Sequence, residues 1–152
     1  MPAWNQIEQA EPRFAARIQL ILDAHIHKTM ATLRRDGSPR ISGTEVTFKD
    51  GELWLGGKSA SRKAQDLLRD GRVAIHSAPL DPEMVEGDVK LSARAIPVTD
   101  AAALARTFEV RPPGAVFFRL DIDEVVLTRV VSNQLEVEMW TPADGLRALI
   151  PR

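Results

Sequence analysis

TMATLRRDGSPRISGTEVTFKDGELWLGG, residues 29–57, decides the fold. Side chains alternate with a period of two on either side of two turn signals, Asp36-Gly37-Ser38-Pro39 and Asp50-Gly51. The pattern predicts three antiparallel strands in a meander, Thr29–Arg34, Arg40–Phe48 and Glu52–Gly56, because Asp-Gly readily supplies the positive φ of a tight hairpin. Upstream, Phe14, Ile18, Ile21, Leu22 and His25 recur at three- and four-residue steps after Pro12, which predicts one packed helix over about 12–26. Downstream, a helix over 61–69 presents Ala64, Leu67 and Leu68 and stops at Asp70-Gly71. Strands over 72–77 and 88–98 follow, then a short helix over 100–108, the loop Arg111-Pro-Pro-Gly, and alternating runs at 115–122, 125–131 and 135–140. About eight strands and three helices at hairpin spacing predict a mainly β fold, a β-barrel with flanking helices, rather than a doubly wound parallel sheet. A chain of 152 residues is read as one domain over 1–152.

Composition narrows the function. With 20 basic and 21 acidic side chains the net charge is −1, which argues against a dedicated nucleic-acid binder. The chain has no cysteine, which removes disulfides, thiolate metal sites and thiol nucleophiles and makes the cytoplasm the expected compartment. Its apolar runs are too short to span a membrane, and MPAWNQIEQAEPRF lacks a basic-then-apolar leader, so no membrane partner is expected. Near-neutrality is a sum of opposed halves. Residues 28–72 hold ten basic and six acidic side chains, whereas residues 80–145 hold six and twelve.

The basic half contains the strongest local signal, Lys58-Ser59-Ala60-Ser61-Arg62-Lys63-Ala64. Three cations, two hydroxyls and the free N–H groups of a helix start suit a phosphate: the helix end is partly positive, Arg62 can bind two oxygens, and Lys63 adds a point charge. The same residues can also be a serine cap with solvated cations, and spacing leaves both readings open. Gly56 and Gly57 at the end of the preceding strand allow close approach to backbone, and Gly43 either does likewise or marks a bulge. There is no Walker loop, GxGxxG, GxSxG or HExxH. His25 and His27 form either a metal-binding pair or packed and surface histidines, and His76 either lines a cleft or is an exposed strand residue. Asp121, Asp123 and Glu124 read as a solvated turn, and the apolar residues of 116–131 as barrel core or subunit interface.

Taken together, Arg40-Ile41-Ser42-Gly43, the hairpin, Ser61-Arg62-Lys63-Ala64 and Gly71-Arg72-Val73 resemble the flavin-binding half of the pyridoxamine 5′-phosphate oxidase family, the FMN-binding split barrels. The resemblance is close over residues 27–98 and weaker beyond. It implies that Ser61, Arg62 and Lys63 bind the FMN phosphate; Lys58, from the local cationic run, is a further cofactor-binding candidate. It also implies that Arg40, Ile41, Ser42 and Gly43 lie along the flavin, and that Leu55 and Gly56 flank the ribityl chain. Trp140 and Arg147 resemble a C-terminal Trp and Arg that reach the partner's flavin site, so a homodimer with cofactor sites at its interface is implied. Two departures are visible. The span from Arg40 to Ser61 is one residue longer than in the oxidase, and Arg147 is followed by Ala148 and Leu149, where the oxidase has a substrate-binding His separated from the Arg by one residue. The shorter flavin and deazaflavin members are the better match.

That group implies hydride transfer between a flavin and a small molecule, with the cofactor carrying the chemistry. His76 and Lys90 are the side-chain candidates for a proton donor. Two alternatives accompany this expectation: a deazaflavin coenzyme on the same fold, with Lys58 and Arg34 or Arg35 walling a longer basic groove, and a non-catalytic module binding flavin or haem.

Overall fold

The stretch that decides the fold forms four strands. In the computed structural model, which describes residues 3–79 and 82–149, they are β1 (Lys28–Leu33), β2 (Pro39–Thr44), β3 (Val46–Lys49) and β4 (Glu52–Lys58). The predicted second strand divides at Glu45. Alternation runs unbroken through that residue, with Thr44 and Val46 buried and Glu45 exposed, so the sequence reads as one strand. Only the pairing partner changes: β2 pairs with β1, and β3 pairs with β4.

The remaining elements are α1 (Trp4–Ala10), α2 (Pro12–Asp23), α3 (Arg62–Arg69), β5 (Arg72–His76), β6 (Asp88–Val98), α4 (Ala101–Thr107), β7 (Ala115–Val131), β8 (Gln134–Thr141) and β9 (Gly145–Leu149). Strand order is β2-β1-β5-β6-β7-β4-β3, all antiparallel between neighbours, with β8 on β7 and β9 on β8. Since β2 and β3 end this path yet are joined through Glu45, the sheet curls into a barrel. The meander expectation is corrected accordingly, because β2 and β4 never pair.

β7 replaces two predicted strands. Ser92 pairs with Glu124 and Ala93 with Ile122, so Asp123 is an extra residue in a bulge rather than part of a turn. Before the bulge β7 pairs with β4, and after it with β8, which splits the barrel and sends the β8–β9 ribbon outward. Asp121 is 3% exposed and ion-paired with Arg119, so the solvated-turn reading is corrected as well. β9 was not expected; it follows a short turn closed by Gly145 at φ 66°.

The N-terminal region holds two helices where one was predicted. α1 is short and offers only Trp4 and Ile7 to the interior, too brief a pattern to be read alone. Trp4 packs on Phe48 with ring centroids 4.8 Å apart, and the Asn5 N–H donates to the Gly51 carbonyl at 2.8 Å. α2 presents Phe14, Ile18, Ile21 and Leu22 to the core, ends at Asp23 and leaves His25 exposed. The core continues through Met30, Leu53, Leu55, Val89, Phe118, Leu120, Ile122, Val125 and Leu127, whereas Val131 is 37% exposed. Among the described residues no helix is long and apolar enough to cross a membrane.

Candidate functional site

The β1–β2 hairpin carries Arg34 and Arg35 at its tip. The Arg34 N–H donates to the Ser38 carbonyl at 2.8 Å, and Gly37, at φ 86°, donates to the Arg34 carbonyl at 2.9 Å. Along the hairpin Thr32 pairs with Arg40, so both side chains leave on one face. α3 packs there. Ser61 caps it: its Oγ accepts from the Ala64 N–H at 3.3 Å and donates to the Lys58 carbonyl at 2.7 Å.

At the middle of α3 stands Asp66, 2% exposed. Its Oδ2 accepts from Thr32 Oγ1 and from Arg40 Nε, each at 2.7 Å, and its Oδ1 accepts from Arg69 Nη2 at 3.0 Å. Arg69 Nη2 also donates to the Leu33 carbonyl at 2.7 Å. Burial pushes the Asp66 carboxyl up, but hydrogen bonds from Arg40, Thr32 and Arg69 and the Arg40 charge outweigh it and hold the group at about 2. Asp66 is therefore a fixed anion that aligns two guanidinium groups.

Around it the hairpin tip and α3 enclose a cavity of about 440 Å³ walled by Arg34, Arg35, Arg40, Arg62 and Arg69, with Asp36, Gln65 and Asp66. The Arg62 side chain is exposed and makes no hydrogen bond or ion pair with the described residues. Among the described residues Arg40 is engaged at Nε only, which leaves its Nη groups for a ligand. Two free guanidinium edges in one cavity make a fork suited to a tetrahedral oxyanion.

The other residues singled out by sequence divide into those close to this cavity and those remote from it. Lys63 Nζ donates to the Gly43 carbonyl at 2.9 Å, tying α3 to β2. A narrow cleft beside it is lined by Thr44, Gly56, Gly57 and Lys63. Gly43 pairs regularly with Thr29, which removes the bulge reading, and a Cβ built on it would meet nothing within 4 Å. Lys58 is exposed at the end of β4, and Ser42 is half-buried on β2. Leu55 is 2% exposed, so its side chain belongs to the core and only its backbone could meet a ligand.

Ile41 points away from α3. It is 76% exposed and joins Thr29, His76, Lys90 and Glu124 around a second cavity of about 430 Å³ on the other side of the sheet. His76 thus both lines a cleft and is exposed. Its Nε2 lies 3.6 Å from Asp88 Oδ2 and its Nδ1 lies 2.6 Å from the Ser77 carbonyl. The two proton-donor candidates, His76 and Lys90, share this cavity.

Trp140 and Arg147 line neither the arginine cavity nor the cleft beside Lys63. Trp140 is 5% exposed on β8, opposite Val125 and Leu146, so its ring is core and has little surface for a partner's site. Arg147 is exposed and pairs with Asp144 at 3.1 Å. Among the described residues no three His, Asp or Glu side chains converge on a metal-sized site.

Asp66, Thr32 and Arg69 escaped the sequence reading. The available signal was an acidic residue within a turn of Arg62 and Arg69 on a short helix, next to the buried Leu67. Pairing with Thr32 and Arg40 across the fold has no local signature.

The family model described as pyridoxamine 5′-phosphate oxidase matches residues 14–129. No curated protein matches by sequence. Among solved structures, a pyridoxamine 5′-phosphate oxidase-related, FMN-binding protein from Nostoc punctiforme superposes with a TM-score of 0.70 at 12% identity, covering 93% of this chain and 96% of that one. PhzG from Burkholderia lata, solved in complex with tetrahydrophenazine-1-carboxylic acid, gives a TM-score of 0.63 at 15% identity over 96% of this chain and 90% of its own. A conserved hypothetical protein from Mycobacterium tuberculosis gives 0.61 at 24% identity over 72% and 81%. Similarity at these identities shows a shared split-barrel fold.

Proposed function

Because the chain belongs to the pyridoxamine 5′-phosphate oxidase family, we propose that it is a flavin-dependent oxidoreductase that anchors FMN by its phosphate in the arginine-walled cavity and exchanges a hydride with a small molecule. The observation that carries this reading is the Arg62 guanidinium, without a partner among the described residues and in one cavity with Arg40, whose Nη groups are likewise unpartnered among them. A phosphate monoester fits that donor set, being dianionic or nearly so and satisfied by charged N–H donors. The exposed backbone of Gly43 and Gly56 suits a flat ring, since no side chain stands between strand and ligand.

When bound, FMN would supply the hydride chemistry. The chain's own residues hold and orient it. Asp66 fixes Arg40, Arg62 supplies the second guanidinium, and Lys63, locked onto the Gly43 carbonyl, keeps α3 against β2. His76 and Lys90 are placed to hold or deliver a proton at the second cavity. We read the active form as a cytoplasmic homodimer with cofactor sites at its interface. The exposed Ile41 on β2 and Leu149 on β9 support such a contact. Arg147 is the cross-subunit candidate, with Trp140 supporting it from the core.

Absorbance and mass spectrometry of the purified protein, before and after adding FMN, test this function. A flavin spectrum with FMN in the mass spectrum, bleached and restored through turnover with an electron acceptor, supports it. A protein that takes up no flavin contradicts it.

A further inference from the structure

We propose that Glu52 on β4 and Asp121 on β7 share a single proton, and that this proton latches the β4–β7 seam beneath α1. Neither residue lines the arginine cavity or the cavity around His76, so the proposal is independent of the cofactor reading.

Two buried oxygens carry the argument. Asp121 is 3% exposed; its Oδ1 accepts from Arg119 Nη1, while its Oδ2 has no hydrogen-bond partner among the described residues. Glu52 Oε2 is buried and equally without one. Trp54 pairs with Arg119, and two residues beyond along each antiparallel strand stand Glu52 and Asp121, on the face that carries Trp54 and Arg119. An ionised carboxylate only accepts, so two ionised groups would leave both oxygens orphaned and one buried negative charge uncompensated. One proton repairs both faults: a protonated Glu52 donates its O–H to Asp121 Oδ2, and the trio with Arg119 becomes neutral. Arg119 already occupies Asp121 Oδ1, which leaves Glu52 as the carrier.

The surroundings agree. Burial pushes the Glu52 carboxyl up from its ordinary 4.5; Arg119 pulls it down, Asp121 pushes it up again, and the net is a rise. The other charged groups on the adjoining elements offer no substitute partner. Lys49 across β3 from Glu52, Asp50 in the turn, Arg94 across β6 from Asp121 and Glu8, the one titratable residue of α1, are all exposed, and none bonds to either carboxylate. α1 packs on both β4 and β7, and its Asn5 N–H donates to the carbonyl of Gly51, the residue before Glu52. Ionising Glu52 sets two carboxylates against one guanidinium at this seam, and the repulsion acts where α1 is docked.

The test is an NMR titration of the Glu52 side-chain carboxyl carbon in the wild-type protein, with Tm and amide exchange of wild type and Glu52→Gln measured over the same pH range. The Glu52 midpoint should stand above the ordinary 4.5, and Asp121→Asn should return it to that value or below by removing the like charge and freeing Arg119. A group raised in the folded state stabilises fully below its unfolded value and loses that contribution as pH rises through its folded one. In Glu52→Gln the amide donates to Asp121 at every pH, so its Tm should gain on the wild type as pH rises above 4.5 and then level off. The Asn5 amide should exchange faster in the wild type than in Glu52→Gln at the same alkaline pH, by up to about tenfold for each unit of midpoint rise. A Glu52 midpoint at or below 4.5, or one that Asp121→Asn does not lower, overturns the shared proton. A raised midpoint with Asn5 exchange equal in the two proteins overturns the latch. The wild-type titration needs no substitution, so it decides the shared proton even where a variant does not fold.

Discussion

Asp66 on α3 and Arg40 on β2 meet at 2.7 Å through Oδ2 and Nε, joining helix and strand across the mouth of the barrel. The contact uses Nε and, among the described residues, leaves the Nη groups of this cavity-lining side chain without a partner. Thr32 and Arg69 complete the carboxylate's shell, so the anion neither titrates near neutrality nor rotates freely. Preorganisation of this kind lowers the entropy lost when an oxyanion arrives.

Asp66→Asn should therefore loosen both the fold and the site. It replaces charged hydrogen bonds with weaker ones in a position 2% exposed, and a loss of roughly 1.5–3 kcal/mol is expected in urea unfolding. FMN affinity should fall as well, because Arg40 loses its anchor. Unchanged stability would show that the network is incidental.

The same group sets an acid limit. Its folded value, about 2, lies below the ordinary 3.8, so the unfolded chain takes up the proton first. The stabilisation is complete above about pH 4–5 and is lost as pH falls toward 2. Subtracting the unfolding free energy of Asp66→Asn from that of the wild type should give a constant difference from pH 7 to about 5, shrinking below. A difference that instead changes between pH 5 and 7 points to another titrating group.

Gly43 separates fold from ligand. Its Cβ position is open and its φ is not left-handed, so Gly43→Val should change stability by no more than about 0.5 kcal/mol. The new side chain would project on the same face of β2 as Ile41, away from α3, and FMN titration should show weaker binding, with the ring lying along that face. Undiminished binding with full stability removes Gly43 from the site.

α4 contributes no buried residue, and the segment is held by Phe108, stacked on Phe117 at 4.6 Å and edge-on to Trp54 at 5.1 Å. Phe108→Ala should raise amide exchange across 101–107 far more than in β6 or β7, since aromatic pairs of this kind hold about 0.5–1.5 kcal/mol each. Uniform exchange changes would mean that α4 and the sheet open together.

Much of the architecture was legible because it is local. Alternation, Asp-Gly turns and the Ser61 cap each carry their own signal, and β6 is found with the bounds expected for it. What escaped depends on distant partners. Nothing in Thr44-Glu45-Val46 announces that pairing passes from β1 to β4, and nothing in Ile122-Asp123-Glu124 distinguishes a bulge from a turn until β6 lies alongside. The site follows the same division. Ser61, Arg62 and Lys63 were visible as a motif, although Ser61 caps the helix, Lys63 holds the Gly43 carbonyl and Arg62 alone of the three remains uncommitted. Asp66 was not visible, because its meaning lies in Thr32 and Arg40 across the fold.

The phosphate anchor is the central claim, and comparing FMN with riboflavin on wild-type protein and on Arg62→Ala/Lys63→Ala tests it most directly. The wild type should bind FMN at least about tenfold more tightly than riboflavin, and the double variant should bind the two about equally; riboflavin, which lacks the phosphate, reports separately any loss caused by releasing the Lys63–Gly43 tie. Unchanged FMN affinity in the double variant, or equal affinities already in the wild type, would contradict the account.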